Sequence, residues 1–153
     1  MREREITKII IHCSATKPSM DIGAAEIRDW HVRGNGWHDI GYHGVIRRDG
    51  RLESGRNMAV PGAHCYGHNA ASIGICLVGG LGEDGTTAEA NFTPEQWESL
   101  ARLVRDLTRK FPDAGVHGHN EFAAKACPCF AVGAWWEGIK AQSAGGDAIE
   151  GRA

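Results

Sequence analysis

The segment Ser72-Ile-Gly-Ile-Cys-Leu-Val-Gly79 has no polar alternation. A strand with one wet face alternates apolar and polar residues, whereas a strand that is apolar at both parities needs cover on both faces. This requirement constrains the chain more than any other feature: it must build a sheet with layers packed on either side. Residues 6–12 (Ile-Thr-Lys-Ile-Ile-Ile-His) supply a second, β-branched strand that ends on a histidine. Tyr42 to Arg47 and Arg51 to Glu53, separated by Asp49-Gly50, read as a hairpin, and Gly115 to His117 as a short strand. Asp21 is expected to cap a helix from about Gly23 to Val32, which Gly34-Asn35-Gly36 stops. Thr93-Pro94-Glu95-Gln96 combines a cap, a proline at the first helical position and a Gln three residues after the cap. Trp97, Leu100, Ala101, Val104, Leu107 and Phe111 then form one apolar stripe before Pro112, and a last helix is expected around Val132 to Ile139.

Strands interleaved with helices predict an α/β (α+β) fold: a single domain, with a central mixed β-sheet flanked by about three helices. The domain is expected over residues 1–144, with a small, polar, flexible tail over 145–153. The tail contains Ile149-Glu-Gly-Arg152, which matches a protease recognition site and is given no function. With 17 Lys+Arg against 19 Asp+Glu the net charge is -2, which excludes a strongly basic nucleic-acid binder at the level of bulk charge. No stretch approaches the roughly 20 apolar residues of a membrane span. Met1-Arg-Glu-Arg-Glu and a three-isoleucine run do not make a signal peptide, so the expectation is a chain kept in the cytoplasm that makes it.

The chemistry-bearing residues are 5 Cys and 8 His. An odd cysteine count cannot be a complete disulfide framework, and Cys beside many His invites a metal reading. Cys13 and Cys76 lie in apolar runs and read as small buried hydrophobes. His119 and Cys127 share a loop, and His12 ends the first strand. Two imidazoles and one thiolate would leave a fourth position open, the pattern of a catalytic zinc site. Spacing alone does not select this trio, because His117 would share a strand face with His119 and Cys129 lies two residues past Cys127.

Ile11-His12-Cys13-Ser14-Ala15-Thr16, Asp39-Ile40-Gly41-Tyr42-His43, Arg48-Asp49-Gly50 and Gly55-Arg56 follow one another along the chain. So do Gly62-Ala63-His64, Gly67-His68-Asn69, Ser72-Ile73-Gly74-Ile75, Leu77-Val78-Gly79-Gly80, Asn91-Phe92-Thr93-Pro94 and Lys125-Ala126-Cys127-Pro128. In this order, over about residues 6–140, the chain resembles the zinc-dependent N-acetylmuramoyl-L-alanine amidases of the amidase-2 family and is similar to peptidoglycan recognition proteins.

The resemblance implies one Zn(2+) per chain on His12, His119 and Cys127, catalytic roles for Tyr42 and Lys125, and substrate contacts at His64, Asn69 and His68. Zinc can polarise a poor amide electrophile, Lys125 can stabilise the developing oxyanion, and Tyr42 can orient water or relay its proton. Either Tyr42 or Lys125 could serve as the base. His43, which follows Tyr42 in a strand and so faces the other way, reads as packed or supporting, as does His31; His38 reads as a surface residue. Cys65 and Cys129 are expected to be free thiols or, after export, a disulfide at the site rim.

The implied partner is bacterial peptidoglycan, cut by a monomeric phage-type endolysin that leaves the host cytoplasm to act on the periplasmic wall. Two other readings stand beside it. One is a non-catalytic peptidoglycan-binding module, which in such relatives usually lacks the cysteine ligand. The other is contact with a phage RNA polymerase, which a coliphage member of the family inhibits partly through its N-terminal region. The N-terminal segment here is shorter and differently charged, so that activity is not carried over.

Overall fold

A computed structural model describes residues 4–150. Five strands form one mixed sheet: β1 (Lys8–Cys13), β2 (Gly44–Ile46), β3 (Leu52–Ser54), β4 (Ser72–Leu77) and β5 (Gly115–Gly118), in the order β3-β2-β4-β1-β5. β1 runs parallel to both neighbours, β4 and β5; β2 is parallel to β4 and antiparallel to β3. Three helices accompany it among the described residues: α1 (Ala24–Asp29), α2 (Pro94–Lys110) and α3 (Val132–Glu150). The expected class and layering are those observed.

Every residue of β4 is buried. One face, with Ile73, Ile75 and Leu77, joins Ile9, Ile11 and Cys13 of β1 and Leu100, Val104 and Leu107 of α2 in the larger core. On the other face Cys76 meets Ile22, Ala24, Ile27, Ile40 and Val45 in a smaller core against α1. The period-2 alternation of β1 therefore sends Cys13 to the α2 side and His12 to the opposite side.

The start of α2 follows the sequence signal closely. Gln96 N donates to Thr93 Oγ1 at 3.1 Å, and Thr93 N donates to Gln96 Oε1 at 3.0 Å. Gln96 also does more than cap. It is fully buried, its Nε2 donates to Val78 O (2.8 Å) and Ile46 O (3.1 Å), and its Oε1 accepts from Arg48 Nη1 (3.1 Å). One side chain thus ties the helix to β2 and to the end of β4.

Three expectations are corrected. Asp21 does not cap α1. Glu26 Oε1 takes the Gly23 N–H (2.6 Å) and Glu53 Oε1 the Ala24 N–H (2.8 Å), while Asp21 pairs with Arg47 at 3.0 Å. The helix that was expected to reach Val32 ends as α-helix at Asp29 and continues as a π-helical turn, Trp30–Gly34. The last helix runs on past Ile139 to Glu150; residues 151–153 of the expected tail lie outside the described residues. No helix among the described residues is long and apolar enough to cross a membrane.

Replacing Gln96 with Leu removes all four bonds and leaves buried partners short of a donor or acceptor. We expect a loss of about 2–4 kcal/mol in urea unfolding. Arg102→Ala, at an exposed i,i+4 pair, should change stability by no more than about 0.5 kcal/mol.

Candidate active site

The parallel pairing of β1 with β5 fixes the first two site residues. The register sets Lys8 opposite Gly115 and Ile11 opposite Gly118, so its next step brings His12 beside His119. Side chains at equal register on parallel strands project from the same face, and here they do so at the carboxyl edge of the sheet, where open α/β sheets bind ligands. The ring centroids of His12 and His119 lie 4.5 Å apart. His117 shares their parity but lies two residues back, about 7 Å along the strand, and its Nδ1 contacts Glu121 Oε1 at 2.9 Å.

The third residue arrives from the loop after β5. Cys127 Sγ accepts the backbone N–H of Cys13 at 3.1 Å and lies 4.0 Å from His12 Nδ1. One ligand atom each from His12, His119 and Cys127 fall within 4.8 Å of one another, and no other group of three or more His, Cys, Asp or Glu side chains among the described residues does so. Nitrogen–nitrogen–sulfur donors at this separation fit a borderline-soft divalent metal with room for a further ligand. Of the trios that spacing left open, the structure assembles this one.

Burial, with the charges of His64, His119 and Lys125 behind it, holds His12 well below the usual histidine pKa. His119 is lowered by burial and then by Lys125. Both are therefore neutral near pH 7, the state a metal ligand needs. Tyr42 stands with its ring 5.0 Å from that of His12, and burial raises its pKa well above 10, so it remains a neutral phenol.

A groove of about 590 Å³ opens beside the trio, walled by His64, Asn69, His119, Lys125 and three aromatic residues, Trp37, Tyr66 and Phe122. Lys125 is exposed on its rim. Asn69 Oδ1 accepts the backbone N–H groups of His64 (2.9 Å) and Cys65 (3.0 Å), which sets the shape of that wall. His68 does not itself line the groove; its ring stacks at 4.3 Å on Phe122, which does. His64 is 9% exposed, with burial lowering its pKa to about 3.

Sequence reasoning did not place Trp37, Tyr66 or Phe122. They come from three separate loops that only the fold brings together. Tyr66 is 99% exposed, an aromatic side chain with nothing of its own chain to cover it. The other histidines behave as read. His43 accepts from Gly74 N (3.0 Å) and donates to Val60 O (2.8 Å), His31 Nδ1 accepts from Gly41 N (2.9 Å), and His38 is exposed. All five cysteines are free, and the sulfurs of Cys13 and Cys129 lie 4.0 Å apart.

The family model described as N-acetylmuramoyl-L-alanine amidase matches residues 2–130. The chain is 49% identical over 137 residues to the endolysin of Escherichia phage T7, covering 89% of each. It is 30% identical over 129 residues to a peptidoglycan-recognition protein of Drosophila melanogaster, covering 78% of this chain and 66% of that one. Among solved structures, the endolysin amidase LysCS of Clostridium intestinale URNW superposes with a TM-score of 0.75 at 30% identity, over 91% of this chain and 84% of that one.

Three buried histidines, His12, His43 and His64, have pKa values lowered from 6.5, chiefly by burial. In the metal-free protein, unfolding exposes them and takes up protons once the pH drops below about 6.5. Stability is then fully present above that pH and falls as pH falls, by at most about 1.4 kcal/mol per pH unit for each imidazole. The urea midpoint should be lower at pH 5.5 than at pH 7.5; a midpoint that rises on acidification contradicts this.

Proposed function

The chain belongs to the N-acetylmuramoyl-L-alanine amidase family, and from that premise we propose that it is a zinc-dependent endolysin. It hydrolyses the amide between the lactyl group of N-acetylmuramic acid and the L-alanine of the stem peptide, in bacterial peptidoglycan. As an endolysin it works as a monomer, leaving the host cytoplasm to reach the periplasmic wall. The observation that carries the reading is the convergence of His12, His119 and Cys127 on one point beside a groove with a cationic rim.

His12, His119 and Cys127 would hold the zinc; two neutral imidazoles and one thiolate leave it a net charge of +1. When bound, zinc supplies Lewis acidity, polarising the amide carbonyl and acidifying water at neutral pH. The chain's own residues do the rest. Lys125, exposed at the groove rim, presents an ammonium to the carbonyl oxygen as charge develops there, and a positioned donor of this kind is a large term in amide hydrolysis. Tyr42, held as a neutral phenol beside His12, orients the attacking water or relays its proton.

The groove binds the muropeptide. With the Asn69 Oδ1 committed to backbone N–H groups, its Nδ2 is the atom left to donate to a stem-peptide carbonyl. Trp37, Tyr66 and Phe122 offer flat apolar faces to sugar rings, with His68 backing Phe122.

Zinc-loaded protein incubated with purified sacculi should release stem peptides with a free L-alanine amine, identified by mass spectrometry, and create no new glycan reducing ends. Cys127→Ser, which replaces a thiolate with a hydroxyl, should release none. Lys125→Ala should lower kcat by about 10²–10³-fold. Binding of the wild type to sacculi without peptide release would overturn the amidase reading in favour of a binding module.

A further inference from the structure

The trio explains one nitrogen of His12 but not the other. Nδ1 faces the Cys127 sulfur, so it is the atom available to a metal. Nε2 points away and lies 2.8 Å from His64 Nδ1, inside the protein. His64 Nε2 in turn lies 3.2 Å from Ser72 Oγ, on the first residue of β4.

We propose that His64 is a positioning residue for the metal: it accepts the Nε2–H of His12, and so fixes the tautomer and ring plane in which Nδ1 binds. This rests on the zinc reading above and deepens it. The proton assignments follow from one another. A neutral His12 that gives its Nδ1 lone pair to a metal carries its hydrogen on Nε2. That hydrogen needs an acceptor, so His64 Nδ1 must be unprotonated. His64 is then the Nε2–H tautomer and donates to Ser72 Oγ. The other His64 tautomer would set two N–H groups against each other at 2.8 Å.

The fold holds this ring in place. The His64 backbone N–H is tied to Asn69 Oδ1 at 2.9 Å. Gly74 on β4 supplies the space for the imidazole, since a Cβ there would sit 2.5 Å from its ring carbons. Gly62 adds to this space, since a Cβ there would come within 2.8 Å of the same ring. Although His64 forms part of the groove wall, both its ring nitrogens are already engaged, by His12 and by Ser72. No polar atom of the ring remains for substrate, which separates this role from a substrate contact. Hydrogen-bond acceptors behind a ligating imidazole raise its basicity and typically account for about 10–100-fold in metal affinity.

Zinc affinity, measured by competition with a chromophoric chelator, and the visible spectrum of the cobalt-substituted protein test the assignment. His64→Ala should weaken zinc by about 10–100-fold and alter the cobalt bands. His64→Asn, whose Oδ1 can occupy the position of the lost Nδ1, should restore most of the affinity. Unchanged zinc affinity in His64→Ala together with a raised KM would overturn the proposal and make His64 a substrate contact. Nitrogen NMR of the zinc-loaded wild type gives an answer even if a variant fails to fold: His64 should carry its hydrogen on Nε2, and a hydrogen on Nδ1 overturns the proposal. Absence of a tight zinc site in the wild type overturns the zinc reading as well, whereas a normal site with an indifferent His64 overturns this inference alone.

Discussion

The parallel register between β1 and β5 is the constraint on which the site depends. Parallel pairing places residues of equal register side by side on one face, and it brings the carboxyl ends of both strands to the same edge. His12 at the end of β1 and His119 just past β5 meet for that reason. An antiparallel partner would have put the start of one strand beside the end of the other. Parallel strands demand burial on both faces, and the chain meets that demand with Ile9, Ile10 and Ile11, all without solvent exposure.

A strand that serves both core and site must divide its side chains between them. Ile11 and Cys13 go to the α2 core, and His12 goes to the other face. The same division brings in the third ligand: the backbone N–H of Cys13, free at the strand end, is satisfied by the sulfur of Cys127. The site is thus assembled by groups that also complete the fold. Its cost is a set of buried neutral histidines, which weaken the metal-free protein in acid.

Much of this was legible in the sequence because it depends on local rules. The Thr93–Gln96 capping box, the apolar stripe of α2 and the two-sided burial of β4 each follow from a short pattern and a period. The metal trio was only partly legible. Spacing left His117 and Cys129 as rivals, and register, a property of two strands rather than one, removed His117. What stayed hidden was longer in range. Asp21 looked like a cap because nothing local revealed that Glu53, from β3, would take the Ala24 N–H. The contact between His64 and His12 joins residues 52 positions apart, and the aromatic groove wall joins three loops.

The central claim is that His12, His119 and Cys127 hold one zinc that the reaction requires. The most direct measurement is a titration of metal-free protein with zinc, following stem-peptide release from sacculi at each addition. The account predicts activity that rises linearly and breaks at one equivalent per chain. Full activity in the metal-free protein, or a rise unrelated to one equivalent, would contradict it.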